Sequence, residues 1–163
     1  MTIDIRLSGR SITSAANQLR KYAKTLDKRT ENLVESLAKY GVEFANMYLK
    51  HDDTGETRNS IGYKREGNKA TVFVSGAAVW IEFGTGVLAN AGNTPHPKRD
   101  EVGAFAWGEY GQGLGKDIWW FWSNRYQCWK QTAGITMNPF MYDTSQSLRA
   151  YLNDLAKEAF KID

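Results

Sequence analysis

Residues 29–50 read RTENLVESLAKYGVEFANMYLK, and the run HDDTG at 51–55 closes them. Leu33, Leu37, Tyr40, Phe44 and Met47 recur every three or four residues, so the spacing predicts an amphipathic helix with these five as its buried stripe. Glu31, Glu35, Lys39 and Glu43 fall on the side expected to face water. His51-Asp52-Asp53-Thr54-Gly55 is a turn-forming polar cluster, and Gly55 lets the chain leave the helix through a turn of positive φ. Beyond it the period drops from about 3.6 to 2. Strands are expected over Arg58–Arg65 and Ala70–Ser75, joined through Glu66-Gly67-Asn68 as a hairpin. A long helix feeding an antiparallel hairpin makes this an α+β chain.

Upstream, Ile12, Ala15, Leu19, Tyr22 and Leu26 keep helical spacing. The register then falters among Arg20, Lys21, Lys24, Lys28 and Arg29, which predicts a break or bend near Thr25–Lys28. Ile3, Ile5 and Leu7 alternate with Asp4 and Arg6 as a short strand would, before Gly9. Downstream, Ala77–Phe83 is a compact apolar segment closing with Gly84-Thr85-Gly86. At the far end Asp143 and Gln146 have capping-box spacing. Leu148, Leu152, Leu155, Ala159 and Ile162 then form the stripe of a C-terminal helix.

The 163 residues suit one domain, residues 1–163, large enough to need no staples. With 42% hydrophobic and 24% charged residues, wholesale disorder is excluded. A formal charge of +3 is too small for a dedicated nucleic-acid binder. Cys128 is the one cysteine, which excludes an intramolecular disulfide framework and a multi-cysteine zinc site. No apolar run approaches the ~20 residues of a membrane span. The first residues do not resemble a secretory signal, so a protein of a reducing compartment is expected.

Aromatic residues are the anomaly. Nine of the 21 lie between Phe105 and Trp129. They sit inside a segment, Val87 to Met137, that is too long to be a mere connection. In its second half Ile118–Trp122 and Arg125–Lys130, separated by Ser123-Asn124, predict an aromatic β-hairpin. The tryptophans suit either a stacking platform for single-stranded nucleic acid or cell-wall sugar or an interface plug.

Other motifs tempt and carry less. Asp53-Thr54-Gly55 matches the aspartic-protease triplet, but a charged context replaces the apolar strand that such a site needs. Gly111-x-Gly113-x-Gly115-Lys116 lacks the spacing and the hydroxyl residue of a phosphate loop. His51 with Asp52 and Asp53, or His96 with Asp100 and Glu101, is a weak metal pattern. Cys128 has no neighbouring motif of a nucleophile. The basic run Arg20–Arg29 would touch phosphate only where its cations share one helical face.

Three segments in order carry a resemblance. They are Asp53-Thr54-Gly55-Glu56-Thr57-Arg58-Asn59-Ser60-Ile61 after a long helix, Val79-Trp80-Ile81-Glu82-Phe83-Gly84-Thr85-Gly86, and Asn138-Pro139-Phe140-Met141-Tyr142 before the last helix. Together they resemble the tailed-phage "gene product ten" family of tail components, related to the tail-completion and neck proteins of siphophages. Thr57 departs from the family's usual leucine, Lys50-His51-Asp52 replaces its common Ala-Pro, and the 87–137 loop is long for it.

The resemblance implies a small antiparallel sheet flanked by an N-terminal and a C-terminal helix. It implies a structural virion protein rather than an enzyme, without cofactor, metal or membrane partner. Such a protein acts in the virion and assembles in the host cytoplasm. It forms a ring with copies of itself, commonly sixfold, beside connector and tail-tube proteins, and leaves a passage for DNA. Asp53, Gly55, Phe83, Gly84, Thr85, Pro139 and Phe140 are then the structural motif. Trp107, Tyr110, Trp119, Trp120, Trp122, Tyr126 and Trp129 are the expected assembly contacts.

Overall fold

The computed structural model of the chain describes residues 9–50, 52–90, 96–98, 101 and 118–161. The strand expected at Ile3–Leu7, His51, Asp100, Trp107, Tyr110, the glycine-lysine run at 111–116 and Ile162 lie outside those residues.

Helix α1 runs unbroken over Gly9–Tyr48, 40 residues, so the chain does not break at Thr25–Lys28. Lysine and arginine are good helix formers, and the stretch holds neither proline nor glycine. Side chains tie its turns together: the Thr25 hydroxyl donates to the Tyr22 carbonyl at 2.8 Å, and Arg29 Nε donates to Thr25 Oγ1 at 3.2 Å. The faltering apolar register marks the loss of a packing partner, not of the helix.

That partner is α4, Phe140–Ala159, which runs antiparallel to the second half of α1. Tyr48 and Ser147 hydroxyls meet at 2.7 Å, and the Phe44 and Tyr151 rings at 5.4 Å. At the far end Arg29 Nη1 donates to the carbonyls of Ala159 and Lys161. A cation at the end of α4 satisfies orphan carbonyls and offsets the helix dipole. Residues 9–28 therefore continue beyond α4 by about 30 Å of helix.

The buried seam of α1 differs from the expected stripe. Met47 and Tyr40 are exposed, while Ala38, Phe44, Ala45 and Leu49 are buried. Small residues set the approach, because a Cβ on Gly41 would lie 2.7 Å from Val72 and 3.3 Å from Leu148. The stripe of large residues misleads here because close packing selects for small ones. Leu152, also expected inside, is exposed.

After α1 comes a helical turn, α2, Glu56–Asn59, where a strand was expected from Arg58. Strands β1, Gly62–Glu66, and β2, Lys69–Phe73, then pair antiparallel through the two-residue turn Gly67-Asn68. This hairpin lies on α1, and Arg65 grips Glu35 at 2.8 Å and Glu31 at 2.9 Å. The two carboxylates expected to face water thus hold the sheet to the helix. Lys39 first, then Arg65, keep the Glu35 carboxyl below its ordinary value.

Helix α3, Ala78–Phe83, brings Ala78 and Ile81 against Ala45, Leu49 and Phe140. Phe140 is fully buried, so the core sits where the end of α1, α3 and the start of α4 converge. Strand β3, Thr85–Gly86, and a 3-10 turn, Val87–Asn90, lead into the excursion. Its later part is a separate ribbon of β4, Trp119–Ser123, and β5, Cys128–Thr132. Strand β6, Gly134–Ile135, returns to pair with β3.

Candidate functional site

The excursion is clamped where it leaves and re-enters the core. Thr85 and Gly86 pair with Ile135 and Gly134, and Thr85 Oγ1 accepts the Ile135 N–H at 3.0 Å. Next to this neck, the Asn138 N–H donates to the Ile81 carbonyl at 2.8 Å. Its buried side chain accepts the Lys50 N–H at 2.7 Å and donates to the Tyr48 carbonyl at 3.1 Å. One residue thus caps the end of α1 and fixes the returning chain. Pro139 and Phe140 follow it directly into α4.

Glu82 forms a second clamp. Its Oε2 accepts the Met141 N–H at 2.8 Å, and its Oε1 accepts the Tyr142 N–H at 2.9 Å. These are orphan donors at the start of α4, so a carboxylate from α3 caps a helix 58 residues downstream of it. The capping box expected at Asp143 is therefore not the start, and α4 begins three residues earlier. Asp143 lies inside the first turn, where its charge still suits the dipole.

His96 completes this clamp from within the excursion. Its Nε2 lies 3.0 Å from Glu82 Oε1, and Nδ1 accepts the Lys98 N–H at 3.0 Å. With Nδ1 accepting, the network assigns the proton to Nε2, which donates to Glu82. The ring packs 4.2 Å from Phe83 and edge-on to Tyr142 at 5.7 Å. His96 and Glu82 are both buried. His96 anchors the excursion; among the described residues no group of three His, Cys, Asp or Glu is placed to hold a metal ion.

The Asp53-Thr54-Gly55 turn serves as a helix terminus. Gly55 has φ +78°, as its position in the turn requires. The Asp52 carboxylate accepts the Arg58 N–H at 2.7 Å. Arg58 then folds back and donates to the carbonyls of Asn46 at 2.6 Å and Leu49 at 2.7 Å, at the end of α1. Arg58→Ala should cost about 1–2 kcal/mol in urea unfolding, since it frees two helix-end carbonyls that water reaches only in part. Asp53 pairs with Arg125 at the tip of the β4–β5 ribbon. Between turn and ribbon lies an open cleft of about 830 Å³ lined by Asp52, Asp53, Glu56, Phe121, Trp122 and Arg125.

In the ribbon itself Trp122 opposes Trp129 and Trp120 opposes Gln131. The connection spans Asn124–Gln127, four residues rather than the expected Ser123-Asn124, and Gln127 takes φ 51°. Ser123 is instead a buried strand residue. Alternation puts Trp120, Trp122 and Trp129 on one face. They are 62%, 46% and 63% exposed. Trp122 and Trp129 meet edge to face, 5.8 Å apart at 76°. Tyr126, 53% exposed, lies under Lys130 Nζ at 3.3 Å. Trp119 opens β4, and Cys128 is an exposed free thiol.

Thus the ribbon brings Trp120, Trp122 and Trp129 to one face, with Tyr126 in its turn against Lys130. Sequence reasoning missed the roles of Arg58, Glu82 and Asn138, which lie within the three motif segments, and offered His96 only as a weak metal ligand. No protein-family model, curated protein or solved structure matches the chain.

Proposed function

We propose that the chain is a structural component of a tailed-phage virion, of the tail-completion or neck class, that assembles into a ring through its aromatic ribbon. The ring is a homo-oligomer, a hexamer by the resemblance, set beside connector and tail-tube proteins with DNA passing through it. The carrying observation is the indole face of β4–β5, held out on a segment whose two ends are locked to the core. At 150–250 Å² per aromatic side chain, the three exposed indoles offer roughly 400 Å². That is about half of what each partner buries in a standard interface. A monomer keeps such a patch for a partner. A two-stranded ribbon is also marginal alone, so docking would stabilise it.

Ring contacts are heterologous, one face of a subunit meeting a different face of the next. The motifs pin elements to one another and set no nucleophile beside a base, so no catalytic step is assigned.

Concentrated native chain should form discrete rings by mass photometry and negative-stain microscopy. Trp120→Ser with Trp129→Ser should abolish them while far-UV circular dichroism is unchanged. Rings that persist without the indoles would refute the ribbon contact. Gene neighbours encoding portal, connector and major tail proteins are also expected. In the competing reading, a platform for single strands or glycans, the exposed Trp120 would stack on a ligand ring, while Trp122 and Trp129 pack edge to face. Saturable quenching of tryptophan fluorescence by an oligonucleotide or glycan would favour it.

A further inference from the structure

The half of α1 that extends past α4 concentrates the protein's charge. Residues 9–28 carry five basic side chains and one acidic, a net +4. The remaining residues carry 16 basic and 17 acidic, a net −1. All of the chain's positive excess therefore resides on one projecting stretch.

An unbroken helix makes that stretch a surface. At 100° per residue, Arg10, Arg20, Lys21, Lys24 and Lys28 share a sector of about 100°. All five are exposed. Asp27 stands at the edge of the sector, and Lys28 is 3.8 Å from the Glu31 carboxylate at its root. Arg10, Lys21 and Lys24 have no carboxylate partner among the described residues. Neighbouring cations at i, i+4 lie about 6 Å apart, within one Debye length, so their potentials add.

We propose that this face binds the phosphate backbone of duplex DNA, without reading its sequence. The sector holds no aromatic side chain for base stacking, which single strands use. An unbroken helical stretch of about 30 Å can lie along a duplex carrying one charge per about 1.7 Å of axis. An anionic membrane would instead need the opposite, apolar face free to insert. On that face Ala15 is buried and Tyr22 half-buried, but Ile12, Leu19 and Leu26 are exposed, so binding to anionic vesicles is the outcome that the test has to separate from binding to duplex.

The test is fluorescence anisotropy of a labelled duplex with the full native chain, between about 50 and 200 mM salt. Four neutralised phosphates predict a slope of log K against log salt near −3.6. Lys21→Glu with Lys24→Glu should weaken binding more than tenfold. Lys21→Ala with Lys24→Ala should reduce the slope by about 1.8, a readout that partial unfolding does not mimic. Arg149→Glu with Lys157→Glu, the same charge change on α4, should leave affinity within about threefold of native; an equal loss would reduce the effect to net charge and overturn the proposal. It is also overturned by no binding at the lower salt, by tighter binding of the single strand, or by binding of phosphatidylserine vesicles in place of duplex.

Discussion

Replacing Glu82 with alanine is expected to lower the free energy of unfolding by about 3–5 kcal/mol, read as a shift of the urea midpoint at constant slope. The carboxylate accepts from two backbone N–H groups of α4 and from His96. Each buried donor left without an acceptor costs about 1–3 kcal/mol, and water entering the vacated space recovers part of that. The effect reaches past the helix cap, because His96 is released with it. Protease cleavage between residues 90 and 118 should therefore speed up along with global destabilisation. Glu82→Gln separates the two roles. Its oxygen can replace one acceptor, but its NH₂ faces a donor, so a loss of about half that of alanine is expected. If Glu82→Ala unfolds within about 0.5 kcal/mol of native, the clamp is not a stabilising element.

Gly134→Ala is expected to open the neck of the excursion. A Cβ at this position would stand 1.9 Å from the Thr85 oxygen, and φ is +117°, a conformation that side chains resist. The Thr85 carbonyl belongs to the paired β3 backbone, so neither side can yield by a rotamer change. Breaking the two-residue ladder costs about 3 kcal/mol or more locally. Gly134 lies outside the core cluster of Phe140, Ala45 and Leu49, so the expected signature is sub-global. Amide exchange at Gly86 and Ile135 should approach free rates, while α1 and α4 stay protected. Loss of the rings, if the proposed assembly holds, should accompany it, because the ribbon is no longer aimed. Native-like protection at Ile135 in this variant would sink the argument.

Elements whose signal is local were legible. The stretch 29–48 is helical, 62–73 a hairpin with Gly67-Asn68 at its turn, 119–132 an aromatic ribbon and 140–159 a helix. Each rests on a period of 3.6 or 2, or on turn residues within a few positions. Where spacing and structure differ, a distant or non-apolar effect decides. A lapse in apolar spacing predicts a break or bend at Thr25–Lys28, yet helicity there needs only good helix formers and no breaker. Capping-box spacing predicts a helix start at Asp143, whereas the cap comes from Glu82. Size predicts Met47 inside, whereas the close approach of β2 and α4 selects Gly41 and Ala45.

The sequence by itself determined the α+β class, the helices over 29–48 and 140–159, the first hairpin and the aromatic ribbon, and a concentration of tryptophan in one excursion. Periodicity and composition are sums over neighbours, and neighbours are what a sequence displays. Only the tertiary structure decided that Glu82, His96 and the first turn of α4 form one clamp, and that Asn138 caps α1. It also decided that half of α1 outruns its partner and so presents a basic face. Those facts depend on which distant groups come within about 3 Å of one another, and hydrogen bonds of that range leave no period in the chain.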